Sequence, residues 1–562
     1  MSSKKTDTTG SIRDQVEAVR DQETAELNEM NQPPADQVDV RFVNQCYHNK
    51  ERGDGVLYAT LHRDKFVYNK STEHWLVFNG NHWEIDKMHK SHAAVETVAM
   101  RYPEHALSFN PEIFELEGKL AEAELEKANL EKDEKKDPDA ISDADNKIGK
   151  LKRELKWLRD NRKEYNDRAG HLRNMRRAKN CLEWSHKIDY PLAIVGEELD
   201  RQPHLLPCAN GVVDLRTGKL KEGKPDDYLL KAIKVPYDPK AKCPTWDKFI
   251  KEIHRDDPDL ADFIKRLLGY AIAGLTTEHF IAVFIGEGRN GKGTMFEVIN
   301  DILGDLAWSI QPELILDQKN AKSSAGPSAD LVSLMGRRIV VASETDENRR
   351  ISASKVKQLT GGDTICARAP HDKYEINFIP SHTLFLYTNH VPQGLTKDFA
   401  LLKRLLFIKY PLKFIDDPDP EDPNQRPRDP ELPGKLIQEK EGILRWLVEG
   451  HLEWRKNGLN PPDAIKADVE TLRRQEDDLG RYIDDMCKKV EPEVALPFSD
   501  FYKDFKEWYL ETVNEKETYL PSKKKIAEQM RAKGYIKKPA NETGGTLKVY
   551  GLQLPIKEGR FI

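Results

Sequence analysis

Short apolar runs closed off by glycine or polar residues recur through the second half of the chain, and each predicts a buried strand. The first spans 280–285. It stops at Gly286, Gly288 and Gly291 punctuate the loop that follows, and Met295, Phe296, Ile299, Ile302 and Leu303 then recur at helical spacing up to Gly304. The order is strand, loop, helix. Runs at 339–342, 383–387 and 405–408 predict further strands. Between the second and third, 355–381 reads as a basic helix, a glycine turn and a β-hairpin with its tip at 370–373.

The flanking regions have a different texture. Residues 1–40 are polar and charged, which predicts a disordered arm, with order starting near Arg41. Between 58 and 86, Trp75, Phe78 and Trp83 surround Asn79-Gly80, a hairpin signature whose aromatics read as core. From 111 to 178 the chain turns to Glu, Lys, Arg and Leu. Ile113, Leu116, Leu120 and Ala123, then Ala144, Ile148, Leu151, Leu155, Leu158 and Tyr165, recur in steps of three and four on either side of Asp137-Pro138. That spacing predicts an inserted antiparallel helical hairpin with a narrow seam. Its basic end, Arg173, Arg176, Arg177 and Lys179, is a solvated face or a phosphate contact. Residues 210–220 predict a hairpin or a strand capped by turns, 245–275 a helical collar, and 415–490 an acidic, proline-rich loop or linker followed by helices. In 491–562, Phe501, Tyr502, Phe505, Trp508 and Tyr509 mark one helix, and a second runs from the N-cap Ser522 to Gly534. Two strands are expected after it, near 535–538 and 547–554, so the unit reads as a winged helix, or as a generic α+β cap.

Composition narrows the class. A chain of 562 residues needs several cores. Its six cysteines form no C-x-x-C pair, which argues against a zinc ribbon or a disulfide framework. No long apolar span or apolar leader appears, so the expectation is a soluble, non-exported protein without a membrane partner. A net charge of −6 confines any nucleic-acid surface to local patches.

The chemistry centres on the glycine loop, which fits G-x-x-x-x-G-K. Glycines let backbone N–H groups approach a triphosphate, the following helix adds its positive end, and a lysine reaches the β and γ phosphates. The predicted ATP-binding residues are Gly286, Gly288, Asn290, Gly291, Lys292, Gly293 and Thr294. Where a Ser or Thr is usual, Gly293 stands, and Thr294 becomes the candidate Mg²⁺ ligand. Hydrolysis also needs a carboxylate, a polar sensor and a transition-state cation. Glu344, after the strand at 339–342, is the candidate water activator and second Mg²⁺ ligand, with Asp346 and Glu347 nearby. Asn389 is the candidate sensor and Arg404 the candidate arginine finger toward a neighbouring subunit's nucleotide. Candidate DNA contacts are Lys355, Lys357, Arg368, His371 and Lys373 around the inserted hairpin, and Lys523, Lys524 and Lys525 on the terminal basic helix. His371 reads as a tip hydrogen-bonder, since no second metal ligand lies at useful spacing.

GEGRNGKGT, VVASET, KQLTGGDTICAR, TNHVP and Lys403-Arg404, with NGVVDLRTG, CPTWDKF and LLGYAIAG ahead of them, resemble the superfamily III helicases of the phage/plasmid and poxvirus primase-helicase branch. The likeness covers roughly 41–554, apart from the charged hairpin. It implies an α/β fold: an AAA+-like P-loop ATPase at 276–414, an α+β N-terminal domain at 41–244 with the hairpin inserted, and a C-terminal winged helix. It further implies a homohexameric ring translocating on single-stranded and forked DNA, usually 3′ to 5′, with a primase or polymerase acting in trans, in a bacterial host's cytoplasm. Forty disordered residues cannot hold the primase domain that many relatives carry. Two other readings fit the loop: a P-loop nucleotide kinase, and an origin-binding or loader protein that uses ATP as an assembly switch.

Overall fold

The computed structural model describes residues 38–133, 137–317, 328–343, 350–368, 370, 375–391, 398–513, 517, 520–536 and 547–554. The expected N-terminal arm, Glu344, Asp346, Glu347, His371 and Lys373 lie outside the described residues. The chain divides into two compact units, Met1–Gln202 with Glu222–Lys231, and Pro203–Lys221 with Ala232–Ile562.

In the first unit, α1 (Val40–His48) and α2 (Lys50–Leu61) precede strands β1 (Phe66–Asn69), β2 (His74–Phe78) and β3 (Trp83–Ile85), which pair antiparallel. The turn expected at Asn79-Gly80 joins β2 to β3. Asn79 Oδ1 accepts from the N–H groups of Asn81 and His82, and Gly80 takes a φ of 104°, a conformation that suits glycine. Strand β4 (Ala193–Ile194) joins the sheet parallel to β1.

The charged stretch forms the expected hairpin. Helix α3 (Val95–Ala106) leads into α4 (Asn110–Lys132), α5 (Pro138–Leu172) and α6 (Met175–Ser185). Ile113 and Leu116 meet Leu155 and Leu158 in one seam, with Leu120 and Leu151 at its margin. Exposed cross-helix pairs such as Lys152–Glu124 (2.8 Å) and Arg159–Glu117 (2.6 Å) align the register, although each adds little stability.

What fixes the hairpin's root is Asp54 of α2, whose side chain is 1% exposed. Its carboxylate accepts from Arg168 Nε (3.0 Å), Arg177 Nε and Nη2 (3.0 and 2.9 Å) and Tyr102 Oη (2.7 Å), joining four helices at one charge. Of the four basic residues at the hairpin's end, two are therefore engaged inside the unit: Arg177 as described, and Arg173 with Glu96 (2.6 Å).

The second unit opens with the antiparallel strands β5 (Leu205–Cys208), β6 (Gly211–Asp214) and β7 (Lys219–Lys221), the predicted hairpin plus one strand. Helices α7 (Pro244–Ile253) and α8 (Pro258–Ala271) follow. Next comes the central sheet: β8 (Ile281–Ile285), β9 (Ala307–Ile310), β10 (Ile339–Ser343), β13 (Thr383–Thr388) and β14 (Leu405–Lys409). All four pairings are parallel, in the order β14-β8-β13-β10-β9. The fold is thus α/β around a parallel sheet, with apolar clusters on both faces that leave its strands almost wholly apolar. Helix α9 (Lys292–Leu303) crosses back from β8, and α10 (Ala353–Thr360) precedes the antiparallel pair β11 (Ile365–Ala367) and β12 (Ile376–Phe378).

After the sheet, β15 (Lys413–Ile415) pairs with β16 (Gln425–Pro427) around the acidic, proline-rich loop, and α11 (Lys440–Asn457), one of the helices expected after it, packs into the same core as α8. That packing needs two facing glycines, since a Cβ on Gly269 would strike the backbone of Gly450 and His451. Near the C-terminus, α12 (Asp463–Glu476) and α13 (Asp478–Met486) precede α14 (Phe498–Thr512) and α15 (Lys523–Ala532), the latter capped by Ser522 as expected. The expected strand at 535–538 is not formed at Tyr535 and Ile536, and 537–538 lie outside the described residues. Instead β19 (Lys548–Tyr550) pairs with β18 (Ala495–Pro497), and β20 (Leu552–Gln553) with β17 (Lys488–Lys489), segments that precede α14.

Removing the carboxylate at the hairpin root takes the ion partner from largely buried Arg168 and leaves Arg177 with Glu51 (3.2 Å). Asp54→Ala is expected to cost about 3–5 kcal/mol, read as a lowered midpoint in urea unfolding of the first unit; an unchanged midpoint would contradict this role.

Candidate functional site

Residues 286–292 form the loop at the C-terminal end of β8, where ligands bind in open parallel sheets. Its shape follows from its residues. Gly291 caps α9 with φ 85°, and a Cβ there would run into Ile253 of α7, so α7 supports the turn from behind. At Gly286 a Cβ would meet the carbonyl of Tyr410 and the amide of Asn290. Asn290 is buried: its Oδ1 accepts from the Lys292 N–H (3.4 Å), and its Nδ2 has no partner among the described residues. The carbonyls of Ile285 and Arg289 accept from the N–H groups of Tyr410 (2.7 Å) and Phe414 (2.6 Å), so the chain leaving β14 is fastened along the loop.

Lys292 is 4% exposed. Its Nζ donates to the carbonyls of Gly286 (2.5 Å) and Thr388 (3.3 Å), which puts the ammonium at the tips of β8 and β13. Burial pushes its pKa down to about 8. Behind the loop, buried His254 bonds Tyr410 Oη through Nε2 (2.9 Å) and the Ile250 carbonyl through Nδ1 (2.7 Å), and burial holds its pKa down near 4. The sequence reading missed this brace, because nothing in the spacing of residues 254 and 410 connects them.

The sheet brings several other candidates to the same edge. Ser343 pairs with Tyr387, and Thr388 with Ile285, so the end of β10 and the end of β13 stand beside the loop. Asn389 follows β13 directly and is exposed, while Thr388 accepts through its carbonyl from the Gly286 N–H (3.2 Å). Glu344 would follow Ser343 but lies outside the described residues. Thr294 sits half-buried in the first turn of α9, and Gly288 and Gly293 have open space around them.

Arg404 is not at this edge. Its carbonyl accepts from the Ile281 N–H (2.8 Å), at the opposite end of β8, about 16 Å from the loop at ~3.3 Å per residue. The side chain is half-exposed, with Nη1 donating to Thr360 Oγ1 (3.0 Å). Of the residues assigned to nucleic acid, Lys355 Nζ donates to the carbonyls of Glu313 (3.1 Å) and Leu316 (2.8 Å), and Lys357 pairs with Asp398 (2.6 Å). Arg368 follows β11 where the chain enters the tip of the β11–β12 hairpin, its carbonyl accepting from the Ser328 N–H (2.9 Å). Lys523, Lys524 and Lys525 are exposed along α15. Among the described residues there is no cluster of His, Cys, Asp and Glu that could hold a metal, and no helix long and apolar enough to cross a membrane.

Known proteins share parts of this chain. Residues 56–255 match the family model described as "D5 N terminal like". The chain is 29% identical over 325 residues to "Putative helicase L207/L206" of Acanthamoeba polyphaga mimivirus, an alignment covering 55% of this chain and 33% of that protein. It is 24% identical over 338 residues to "Putative primase C962R" of African swine fever virus (strain Badajoz 1971 Vero-adapted), covering 57% and 34%. A third relative, "Putative helicase V13" of Sputnik virophage, is 27% identical over 264 residues, covering 44% and 33%. The chain thus spans about a third of the length of these relatives. Among solved structures, the apo NrS-1 C-terminal region (305–718) overlaps 64% of this chain and 85% of its own at 12% identity, with a TM-score of 0.37, too loose an overlap to argue from.

The lowered pKa of Lys292 would make binding of an anion at this loop proton-linked. Between about 8 and the ordinary lysine value of ~10.4, the unfolded chain holds this proton and the folded protein does not. Stability contributed by this group therefore rises with pH through that window. A phosphate anion favours the charged form and restores the proton. Titration of inorganic tripolyphosphate at pH 9, in buffers of different ionisation enthalpy, is expected to show proton uptake, and affinity is expected to weaken by up to about tenfold per pH unit above 8. Lys292→Arg should abolish both effects; proton-independent binding in the native protein would contradict the burial argument.

Proposed function

We propose that this chain, which belongs to the primase-helicase family of its viral relatives, is an ATP-driven motor that separates DNA strands as a homohexameric ring. The observation that carries the reading is the division of catalytic groups between the two ends of the parallel sheet. Lys292 and Asn389 stand at the C-terminal edge, where the chain continues from β10 toward Glu344. Arg404 stands at the other end of β8. An arginine side chain cannot cross about 16 Å to its own loop, so as a catalytic cation Arg404 serves a nucleotide held by a neighbouring copy. That requirement supports a ring, and the parallel sheet with its phosphate loop supports an AAA+-like core.

Within each site the chain's residues divide the work. Backbone N–H groups at 288–294 and the start of α9 hold the phosphates, and Lys292 exchanges its two carbonyl partners for phosphate oxygens. Asn389 orients water against the terminal phosphate, and Glu344 accepts the water's proton. The donor set suits Mg²⁺, which takes one or two protein oxygens and the phosphates rather than a dedicated cage. Thr294, as a hard hydroxyl in the first turn of α9, and Glu344 would hold it, and the ion would offset phosphate charge. The partner's Arg404 stabilises the charge that develops in transfer.

Motion reaches DNA through the β11–β12 hairpin, which follows α10 and whose sequence carries Arg368, His371 and Lys373. The carbonyl and carboxylate partners of Lys355 and Lys357 favour structural work for those two over DNA contact. The exposed lysines of α15, on a helix packed against aromatic α14, supply a second basic surface in keeping with a winged helix.

The test is ATPase with and without single-stranded DNA, run beside unwinding of a forked duplex. The native chain is expected to show DNA-stimulated turnover and strand separation; ring or DNA binding with negligible turnover would favour the loader reading instead. Lys292→Ala should abolish turnover. Arg404→Ala should lower it by about 10³-fold or more with nucleotide affinity retained, and normal turnover in that variant would remove the trans-acting role. The double change His371→Ala with Lys373→Ala should preserve ATP hydrolysis and lose unwinding, and unaltered unwinding would exclude the hairpin.

A further inference from the structure

Lys357 and Thr360 stand three residues apart on α10, so they share a face of that helix. Their partners lie together at the approach to β14. Lys357 pairs with one oxygen of Asp398 (2.6 Å), and the other oxygen accepts from the N–H groups of Ala400 (2.9 Å) and Leu401 (3.0 Å), capping the four-residue helix Phe399–Leu402. Thr360 Oγ1 accepts from Nη1 of Arg404, two residues beyond that helix (3.0 Å). We infer that Lys357 and Thr360 are positioning residues for the Arg404 guanidinium, holding it in the orientation in which it meets the nucleotide of a neighbouring copy. The inference rests on the trans-acting role proposed above for Arg404.

The hydroxyl that receives Arg404 is itself fixed. Thr360 is 3% exposed, and its Oγ1 donates to the Val356 carbonyl one turn back (2.7 Å), so its proton is spent on the helix and its lone pairs are left for the guanidinium. The Thr360 carbonyl accepts from His279 Nδ1 (3.1 Å), which ties the end of α10 to the residue pair ahead of β8. Val356 and Leu359 of α10 are buried in the same cluster as Leu401 and Leu405, so the helix that carries the anchors and the segment that carries the arginine share one core. The backbone of Arg404 is pinned on both sides, its N–H donating to the Leu401 carbonyl (2.9 Å) and its carbonyl accepting from Ile281. What stays free without Thr360 is the long side chain, and a misplaced catalytic group loses turnover rather than binding. The character of the anchor also matters. A neutral hydroxyl orients a guanidinium without cancelling its charge, whereas Arg168 and Arg177 are held by the carboxylate of Asp54, as suits a permanent fastening.

The test is steady-state ATPase of the full chain on saturating single-stranded DNA. Thr360→Val, which keeps the shape and removes the hydroxyl, is expected to lower kcat by about tenfold to a hundredfold with KM for ATP unchanged, and Thr360→Ser is expected to restore it. Lys357→Met should lower kcat in the same way while affinity for single-stranded DNA is retained. If Arg404→Ala is inactive and Thr360→Val keeps or exceeds the native kcat, or Thr360→Ser is as slow as Thr360→Val, the positioning by Thr360 is overturned with the trans-acting role intact. Weakened DNA affinity at native kcat in Lys357→Met would overturn the part given to Lys357. Normal turnover in Arg404→Ala would remove the trans-acting role and this inference together.

Discussion

A lysine ammonium held out of water at the tips of two parallel strands is the constraint to which the second unit answers. Desolvating that charge is costly, and two backbone carbonyls, from Gly286 and Thr388, offset only part of the cost; in the proposed function the group exchanges them for phosphate oxygens. The neighbouring features follow from keeping it there. Gly286 and Gly291 have no space for a side chain, because Tyr410 and Ile253 close in behind them. His254 and Tyr410, both buried, bond one another beneath the loop, joining α7 to the chain that leaves β14. The sheet order puts β13 between β8 and β10, so whatever follows those strands must emerge next to the ammonium.

The same sheet separates what hydrolysis would need to unite. Parallel strands send all their C-terminal ends to one edge, and Arg404 precedes its strand, so it emerges at the other. A single copy therefore offers the glycine loop with its buried lysine on one edge and a half-exposed guanidinium on the opposite one. In the proposed ring, closing the site means stacking edge against edge between copies, which is how chemistry on one subunit would register as movement in the next. The first unit shows a contrasting use of arginine. Arg168 and Arg177 are drawn inward onto Asp54, where they fix the root of the helical hairpin.

Much of this was legible in the residues. The β8–loop–α9 unit was readable because its signals are local: an apolar run, glycines at fixed spacing, then a helical period. The hairpin seam was readable for the same reason, since Ile113, Leu116, Leu155 and Leu158 recur at the helical repeat. What escaped was non-local. Tyr410 and Phe414, at the end of the predicted ATPase, bond through their backbone N–H groups to Ile285 and Arg289 and so lie along the loop, and main-chain pairing leaves no mark on side-chain pattern. The C-terminal strands found partners ahead of α14 in segments of two or three residues, too short for alternation to register. Lys355 and Lys357 read as a basic face, but whether a lysine meets DNA or a carbonyl of its own chain depends on what the fold brings to it.

The division of the site between copies is most directly tested by mixing two inactive proteins, one with Lys292→Ala and one with Arg404→Ala. In a mixed assembly, some interfaces join an intact cradle from the Arg404→Ala copy to an intact guanidinium from the Lys292→Ala copy, so ATPase activity is expected to reappear on mixing. If the mixture stays as inactive as its components while native and variant chains demonstrably co-assemble, the two halves do not meet across a subunit boundary, and the account fails.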